Sequence, residues 1–406
     1  MNSSRLDLIK PYGIHAKRDR TSLLDGTNLS NDRMDKMTTN HILIGIEKLR
    51  KRAHDFEHIF DVVQPPLTTR WPGLLIWIET HTNYEPWGIL IEHNGDIIAA
   101  AVLTRYRRFG LWQLGIPSVP CFEPGYFGVL GDTAAVMLAR AIRDAAQDFG
   151  GPWYLEIHSL PCPDLVVNHL MAACPSSKVQ LTEPVPSLLF KPNSHLHNYL
   201  SQNTRAVVAK ARNRIQHEGL QMIQEWTRDS EQIMKVLPEI YDICRNRDYQ
   251  KYGSSIIDNP IEYCYHMAIM NEYAKQGLLE LLTIRLNEEL AAFAVCLLDN
   301  GWYLVLTNRA SPRWLRYSPG TIANAEVVRY AFEDSHSCGV NWGKGLQRYK
   351  LSGDVTLIPT QSIYAWSSPI GHLFHFMLKN MLRLKRDILC FKSFGRRLYK
   401  AVSRVG

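Results

Sequence analysis

The chain of 406 residues lacks most of the short patterns by which a function is recognised in a sequence. Its eight cysteines form no Cys-x-x-Cys pair, which argues against a zinc site or a disulfide framework and favours a reducing compartment. Neither Gly-x-Gly-x-x-Gly nor Gly-x4-Gly-Lys-Ser/Thr occurs, which excludes the common phosphate loops. No uncharged run reaches the roughly 18 residues of a membrane-spanning helix, and the polar start MNSSRLDLIKPYG does not resemble a secretory signal. The sequence therefore predicts a cytoplasmic protein that holds no metal.

What is present is the composition of a globular protein, with 46% apolar and 21% charged residues. Because the length exceeds the usual size of a single hydrophobic core, at least two domains are expected. The predicted division is a poorly patterned N-terminal extension, two units and a C-terminal helix, over residues 1–70, 71–190, 191–365 and 366–406. Within the extension, a helix is predicted from Thr39 through Phe60, with compact structure beginning near Trp71.

The positive charge of the chain is concentrated at its C-terminal end. Net charge is +7, and residues 376–406 alone hold nine lysines or arginines and one aspartate, a local balance of +8. Apolar residues recur at helical spacing in the same segment, at Phe374, Met377, Met381, Leu384, Ile388, Phe391, Leu398 and Val402. This pattern predicts a basic amphipathic helix that attaches the protein to an anionic membrane surface at the inner face of the membrane. Packing of the same helix on the body of the protein is the alternative.

Two parts of the chain alternate strands and helices in the same order. In the first part the predicted elements are a hairpin over 88–103, a strand over 111–114, a helix over 132–149 and a strand over 153–157. In the second part they are a hairpin over 279–297, a strand over 302–307, a helix over 321–336 and a strand over 339–342. NGDIIAAAV (94–102) lies over NEELAAFAV (287–295), which predicts two similar α/β units; chance similarity of short strands is the alternative.

A basic helix is predicted between the two units, over residues 203–219. One of its faces is apolar, and four positive charges with no acidic residue among them lie at Arg205, Lys210, Arg212 and Arg214. These side chains are candidates for contacting an anionic substrate or a nucleic acid backbone.

The stretch RWLRYSPGTIANAEVVRYAFE (313–333) places two arginines and a Ser-Pro-Gly turn before an amphipathic helix. The N-terminus of a helix carries unpaired N–H groups and a partial positive charge. Ser318 is expected to cap this helix, Gly320 to let a ligand approach the backbone, and Arg313 and Arg316 to bind phosphate. With Thr321, they predict a pyrophosphate or phosphopantetheine site; the alternative is an ordinary capped helix with solvated arginines.

A second group of functional residues follows the predicted strand at 339–342. Residues 340–350, VNWGKGLQRYK, place two glycines and several basic or phenolic side chains at the carboxyl end of that strand. Ligands of open α/β sheets bind at such strand ends, and an exposed basic turn is the alternative.

Together these segments resemble GNAT-fold acyltransferases of the CelD/BcsL-like group, relatives of the FemAB aminoacyltransferases. The matching elements are Ser318-Pro319-Gly320 at a helix start, Asn341-Trp342-Gly343-Lys344-Gly345 after a strand, and Tyr349-Lys350. The family has Asp-Phe where this chain has Asn341-Trp342, and an asparagine cannot act as a base. The resemblance implies an α/β (α+β) fold of tandem GNAT-like units, each a mixed, mostly antiparallel twisted sheet flanked by helices.

The resemblance also implies transfer of an acyl group to an amine of a small molecule, amino sugar or polysaccharide precursor. The donor would be acyl-CoA, used as a co-substrate rather than a permanently bound cofactor, with phosphates held near Arg313, Arg316 and residues 318–321. Tyr349 or Tyr317 would protonate the leaving thiolate, and Lys350 would bind phosphate or stabilise the oxyanion. Asn341 completes the predicted catalytic set.

Two other functions stay open. In the first, the donor is an aminoacyl-tRNA and the two basic segments contact the RNA. In the second, Asn341 marks a catalytically degenerate scaffold at the membrane surface, in polysaccharide biosynthesis.

Overall fold

The computed structural model of the protein describes residues 38–117, 126–369, 371–373, 375–377 and 380–381. These residues form a mixed sheet of thirteen strands flanked by helices. The strands are β1 (Thr38–Ile44), β2 (Glu85–His93), β3 (Asp96–Arg108), β4 (Leu111–Gly115), β5 (Gly128–Val129), β6 (Trp153–Pro161), β7 (Ser177–Leu189), β8 (Met222–Thr227), β9 (Leu279–Leu286), β10 (Glu289–Asp299), β11 (Trp302–Ala310), β12 (Gly339–Asn341) and β13 (Val355–Trp366). The α-helices of this part of the chain are α1 (Ile46–Lys51), α2 (Ala53–Val63), α3 (Trp71–Thr80), α4 (Asp132–Asp148), α5 (Leu165–Ala173), α6 (Leu196–Tyr199), α7 (Gln202–His217), α8 (Ser230–Tyr252), α9 (Pro260–Lys275) and α10 (Pro319–Glu333).

The strand order shows an internal symmetry. The sheet runs β1-β2-β3-β4-β6-β13-β7-β12-β11-β10-β9-β8, with β5 beside β3, so the two halves follow the same order outward from the centre. Each half contains one parallel pair, β4 with β6 and β11 with β12, and the other described pairs are antiparallel. The predicted fold of two similar α/β units is confirmed.

The two units exchange strands at the centre of the sheet. Strand β13, from the second half of the chain, lies between β6 and β7, and β7, from the first half, pairs with β12. The sheet therefore continues across residue 190, where the sequence predicts the boundary between the two units.

Tight turns set the register of the matching hairpins. Asn94 and Gly95, with φ 55° and 90°, connect β2 to β3, and Asn287 and Glu288, with φ 48° and 69°, connect β9 to β10. Two central residues with positive φ form the type I′ turn, whose twist matches that of antiparallel strands. Asparagine tolerates this conformation, which explains why the two aligned segments both begin at such a residue.

One hydrophobic cluster joins the two units. It packs α3 of the first unit against α8 and α9 of the second and includes residues of β3 and β10, such as Val102 and Phe293. Polar bonds reinforce the contact, because the Leu67 N–H donates to Asp299 Oδ2 (3.0 Å) and Tyr273 donates to the Leu67 carbonyl (3.1 Å). Separate clusters on the other side of the sheet bury α4 and α5 in the first unit and α7 and α10 in the second.

The N-terminal prediction is wrong in two respects. Residues 39–44, expected in a helix, belong to β1, which pairs with β2, and helices α1 and α2 follow. Compact structure begins before Trp71, because Leu49, Phe56 and Ile59 are completely buried. Gly45, with φ 90°, ends the strand and allows the chain to turn into α1, a break that apolar spacing does not reveal.

The rest of the N-terminal extension, residues 1–37, and most of the predicted C-terminal helix lie outside the described residues. In the described residues of that helix, 371–373 and 375–377 are helical. In the part of the chain that the structure covers, no helix is both long and apolar enough to cross a membrane.

Candidate functional site

In the second unit, the parallel strands β11 and β12 separate after a short paired stretch, and the space between them is called the opening. Only three residue pairs join the two strands, from Trp302 with Gly339 to Leu304 with Asn341. Beyond them β11 continues to Ala310 along β10, while the Trp342 N–H bonds the carbonyl of Pro186 (3.0 Å) on the opposite side. The strands therefore separate, and side chains of the following segment line the opening.

Three elements meet at this opening through hydrogen-bonded side chains. The Tyr349 hydroxyl donates to Asn308 Oδ1 (3.1 Å), and Asn308 Nδ2 donates to Asn324 Oδ1 (2.6 Å) on α10. The rings of Tyr349 and Trp342 pack edge-to-face, with centroids 5.8 Å apart and an interplanar angle of 90°. Burial raises the pKa of Tyr349 and the bond with Asn308 opposes the shift, so the phenol stays protonated at neutral pH. A protonated phenol held at a fixed position can donate a proton.

Two polar atoms near the opening are buried without a hydrogen-bond partner in the described structure. Trp342 is 4% exposed and its Nε1–H has no acceptor, and Ser187, which lies opposite Asn341 on β7, is 1% exposed with an unpaired Oγ. Buried polar groups are normally hydrogen-bonded, so such atoms beside an opening are available to a ligand.

Asn341 and Lys350 shape the loop after β12. Asn341 Oδ1 accepts a hydrogen bond from the Gly343 N–H (2.8 Å), which fixes the turn. Lys350 is 7% exposed, and its ammonium group donates to the carbonyls of Gly343 (3.3 Å) and Lys344. Both side chains hold backbone in the described geometry, and their direct action on a substrate stays a prediction.

The start of α10 differs from the predicted capped helix. Ser318 has φ 51° and its side chain accepts no capping hydrogen bond, so the expected side-chain cap is wrong. The reason is that Ser318 also ends the 3₁₀ turn at Pro312–Tyr317, which requires a left-handed backbone instead of the extended one of a capping residue. Its carbonyl instead accepts from the N–H groups of Thr321 (3.0 Å) and Ile322 (3.2 Å).

Gly320 has a packing role at this helix start. A Cβ placed there would lie 3.2 Å from the Cβ of Ala310, so glycine lets α10 approach the end of β11. The first amides of a helix have no acceptor within it. In α10, Pro319 has no N–H, and the amides of Thr321 and Ile322 bond the Ser318 carbonyl, so the remaining amide of the first turn is that of Gly320. One amide, rather than a group of them, is therefore available to an anion.

The two predicted phosphate-binding arginines are already paired with carboxylates. Arg316 donates to both oxygens of Glu218 (2.6 and 2.5 Å), and Arg313 donates to Glu289 (2.5 Å). Tyr317 also donates to Glu218 (2.5 Å), and these bonds, first that from Tyr317 and then that from Arg316, lower the pKa of the Glu218 carboxyl. Tyr317 is 6% exposed and its proton is committed to Glu218, so Tyr349 is the better placed phenol.

The basic residues of α7 lie on two flanks of the helix. Arg205 and Arg212 are seven residues apart and share one side, whereas Lys210 and Arg214 share another, with buried Ala211 and Ile215 against the body. All four basic side chains are exposed. They do not form the single stripe expected of a backbone-binding surface.

Of these four residues, Arg214 reaches the start of α10, where its Nη1 donates to the carbonyl of Arg316 (2.5 Å). The structure therefore brings Arg214, Arg316, Tyr317 and Glu218 together at the start of α10, and Tyr349, Asn341 and Lys350 together beyond β12. Sequence reasoning missed Glu218, Asn308 and Asn324. A polar residue directly after a buried strand, as at Asn308, was the available signal for one of them.

Comparison with known proteins matches a family model to the part of the chain that contains the candidate site. Residues 202–351 match the family model of a GNAT acetyltransferase domain, which runs from the start of α7 to just beyond Lys350. No curated protein matches the chain.

Among solved structures, the chain is similar to FemX, with 13% identity, a TM-score of 0.56, and coverage of 79% of this chain and 98% of FemX. It is also similar to the C-terminal domain of a protein assigned as lysylphosphatidylglycerol synthetase from Agrobacterium fabrum, with 11% identity, a TM-score of 0.50, and coverage of 82% and 97%. At this identity the likeness concerns the fold alone, and the narrower CelD/BcsL-like assignment stays a prediction. Residues 202–351 thus match a GNAT acetyltransferase domain, and 79% of the chain is similar in fold to FemX.

Proposed function

We propose that the protein transfers an acyl group from a thioester of the acyl-CoA type to an amine at the opening between β11 and β12. The observation that carries the proposal is the separation of these strands under the start of α10, with the Tyr349–Asn308–Asn324 chain at the opening. The same residues lie within the GNAT acetyltransferase match, which supports an acyltransferase.

The reaction requires few groups from the protein. The acceptor nitrogen attacks the thioester carbonyl carbon, the C–S bond then breaks, and Tyr349 gives its proton to the leaving thiolate. The proton lost by the nitrogen restores the phenol through solvent, so no carboxylate base at position 341 is required. The unpaired Nε1–H of Trp342 is suited to bond the donor near its reacting carbonyl.

Donor phosphates would bind at the start of α10. The Gly320 amide and the guanidinium groups of Arg316 and Arg214 lie in this region. In the described structure the Arg316 guanidinium is hydrogen-bonded to the Glu218 carboxylate. Because the Arg316 side chain is 62% exposed, a phosphate can replace Glu218 as its partner without moving a buried group.

Mass spectrometry of ligands that co-purify with the full chain tests the donor class. Release of CoA or an acyl-CoA, followed by acyl transfer from acetyl-CoA to a panel of amines and amino sugars, is the expected result. Loss of phosphate binding in Arg316→Ala without loss of folding would place the phosphates as proposed. If Arg316→Ala and Tyr349→Phe both retained wild-type kcat/KM, the site would be elsewhere.

An aminoacyl-tRNA is the second candidate donor, and the exposed basic side chains of α7 favour it. Charged RNA contacts weaken steeply with salt, so activity that falls by orders of magnitude between low and physiological salt, and that RNase abolishes, would identify this donor. The division of the four charges between two flanks makes the thioester the first choice.

A scaffold at the membrane surface is the non-enzymatic candidate. Leu373, Phe376 and Met377 are 57–62% exposed in the described part of the C-terminal segment, ahead of the basic residues in the sequence. Flotation of the full chain, but not of a chain ending near Ser368, with anionic liposomes would support membrane attachment. Absence of acyl transfer from both donor classes would then favour the scaffold.

A further inference from the structure

The turn between β3 and β4 differs from the matching turns of the sheet in its first residue. Asn94, Asn287 and Asn300 begin the turns of three other hairpins, with φ of 55°, 48° and 50°. The β3/β4 turn has Phe109 at this position, with φ 49°, followed by Gly110 with φ 79°. Asparagine tolerates the left-handed conformation, whereas a bulky aromatic residue is disfavoured there. In the second unit the equivalent turn, between β10 and β11, keeps the asparagine.

Packing does not account for the aromatic residue in this turn. Phe109 is 60% exposed, and its ring contacts the neighbouring Arg108, whose guanidinium carbon lies 5.3 Å from the ring centroid. A side chain that is unfavourable for the backbone and is not buried adds little to stability. An unfavourable conformation of this kind points to a function, here one of the exposed ring itself.

Arginines surround this ring. Arg107 and Arg108 are both exposed, and neither forms an ion pair within the described parts of the chain. The carboxylates at this end of the sheet are Glu85, which pairs with Arg105 (2.8 Å), and Asp148 at the end of α4. Three arginines against two carboxylates leave the turn positively charged.

The start of the C-terminal helix packs beside this turn. Leu111, two residues after Phe109, forms a buried cluster with Tyr154 and Trp366. His375 stacks on Tyr154, with ring centroids 3.9 Å apart, and its Nδ1 accepts a hydrogen bond from Trp366 Nε1 (3.1 Å). The helix start therefore lies against the same end of the sheet as the β3/β4 turn.

This packing leaves the apolar face of the helix start in solvent. Gly371 and His375 are buried against the body. Four large apolar side chains are 53–62% exposed, at Leu373, Phe376, Met377 and Met381. At 100° per residue these four positions span an arc of about 140°, away from the buried pair. The fold thus holds an apolar face and the Phe109 ring at one end of the molecule.

The combination of apolar and basic groups selects the partner. At a bilayer surface, apolar side chains enter the boundary between headgroups and acyl chains, while arginines bind the phosphates. A nucleic acid binds through charge and base stacking, so the aliphatic side chains of the helix would gain nothing from it. The local balance of +8 in residues 376–406, which continue this helix in the sequence, favours an anionic surface.

We infer that the β3/β4 turn is a second membrane-contacting element, which binds an anionic bilayer together with the packed start of the C-terminal helix. The contact places the end of the sheet at which β4 begins and β13 ends against the lipid. The inference does not depend on acyl transfer, because it concerns a surface of the first unit and applies to an enzyme and to a scaffold alike.

Co-sedimentation of the full chain with lipid vesicles tests the inference. The wild type should bind vesicles of phosphatidylglycerol and phosphatidylcholine in equal parts, and should bind phosphatidylcholine alone much more weakly. Phe109→Asn should bind the mixed vesicles about tenfold more weakly, because a buried aromatic ring is lost. The variant carries the residue of the equivalent turn in the second unit, so it should remain folded, as thermal unfolding would establish. Arg108→Gln should bind about fivefold more weakly.

The chain offers a matched control at the end of α8. Tyr252 is 67% exposed, and the ammonium group of Lys251 lies 4.8 Å from its ring centroid, so the pair has the same chemistry as Phe109 and Arg108. Tyr252→Asn and Lys251→Gln should bind the vesicles as the wild type does. Acetyl-CoA affinity should be unchanged in Phe109→Asn, so failure of this inference can be told apart from failure of the proposed donor site.

Two results would overturn the assignment. One is that the wild-type chain does not bind vesicles that contain phosphatidylglycerol. The other is that Phe109→Asn and Arg108→Gln bind as tightly as the wild type, or lose no more affinity than the two control variants, which would leave the C-terminal segment as the membrane contact without the turn.

Discussion

Removal of the Tyr349 hydroxyl is the perturbation that separates chemistry from structure at the candidate site. In Tyr349→Phe the ring and its contact with Trp342 remain, and only the hydrogen bond to Asn308 (3.1 Å) is lost. Asn308 keeps its bond to Asn324, and Tyr349 is 37% exposed, so water can replace the hydroxyl. The free energy of unfolding should therefore fall by only about 0.5 kcal/mol.

The effect on the reaction should be much larger than the effect on stability. A positioned general acid contributes about 10²–10⁴ in rate, so kcat for transfer from acetyl-CoA should fall about 100-fold. KM for the donor should change little, because the hydroxyl has no role in holding the phosphates. Tyr349 has a raised pKa, so loss of activity from its ionisation should occur only at a pH above the ordinary range of tyrosine.

The assay that isolates proton donation varies the leaving group. When the donor is an acyl thioester of thiophenol, the leaving group is a stable thiophenolate that needs no proton. Tyr349→Phe and wild type should therefore transfer its acyl group at similar rates. With acetyl-CoA the same comparison should show the full loss. Tyr249→Phe is the matched control and should behave as wild type with both donors. An equal loss with both thioesters, or none with acetyl-CoA, would refute the role of Tyr349 as the acid.

Three further predictions concern stability, each measured by chemical unfolding. Gly339→Ala should destabilise the protein by about 3 kcal/mol or more, because its Cβ would lie 1.9 Å from the Leu188 carbonyl oxygen, whereas Gly277→Ala, in open space at φ +67°, should cost about 1 kcal/mol; equal costs would contradict the steric argument. Burial lowers the pKa of His266 from 6.5 to about 4, so between these pH values the unfolded chain binds a proton that the folded chain does not. About 3 kcal/mol of the free energy of unfolding should therefore be lost as pH falls from 6.5 to 4, and His266→Gln should not show this loss. The same dependence of stability on pH in the variant and the wild type would contradict this prediction. Asp299→Ala should cost about 3 kcal/mol, because Asp299 is 2% exposed and accepts bonds from the other unit, and a surface-like loss below about 0.5 kcal/mol would show that the contact does not couple the units.

The sequence predicts local elements well where their signals are local. Both hairpins, with asparagine at the start of each turn, and helices α4, α7 and α10 lie close to their predicted positions, because turn residues and apolar spacing act over a few residues. Strand β1 was mistaken for helix, because apolar residues along a partly exposed edge strand also fit a helical spacing. Helix α8 contains Pro238, a residue that normally interrupts a helix, and was not predicted.

The exchange of β7 and β13 could not be predicted from either segment. Each strand pairs with residues of the other unit, and β13 contacts β7 across more than 160 positions of the chain, which no local pattern encodes. The duplicated order of elements predicts two units but not how their last strands pair.

The candidate site was predicted in part. The segments at 313–321 and 341–350 do lie at the opening of β11 and β12, but the partners of their side chains depend on distant residues. Glu218 occupies Arg316, and Asn324 orients Asn308, through contacts between segments far apart in the chain. The sequence identifies an arginine as a cation, but the carboxylate that pairs with it is known only once the fold is known.

Hydrogen–deuterium exchange of the full chain with and without acetyl-CoA tests the placement of the donor most directly. The account predicts slower exchange in peptides covering the end of β11, the start of α10 and residues 341–350, with little change along β4 and β6 of the first unit. Protection confined to the first unit, or no protection at saturating acetyl-CoA, would contradict a thioester site at the opening between β11 and β12.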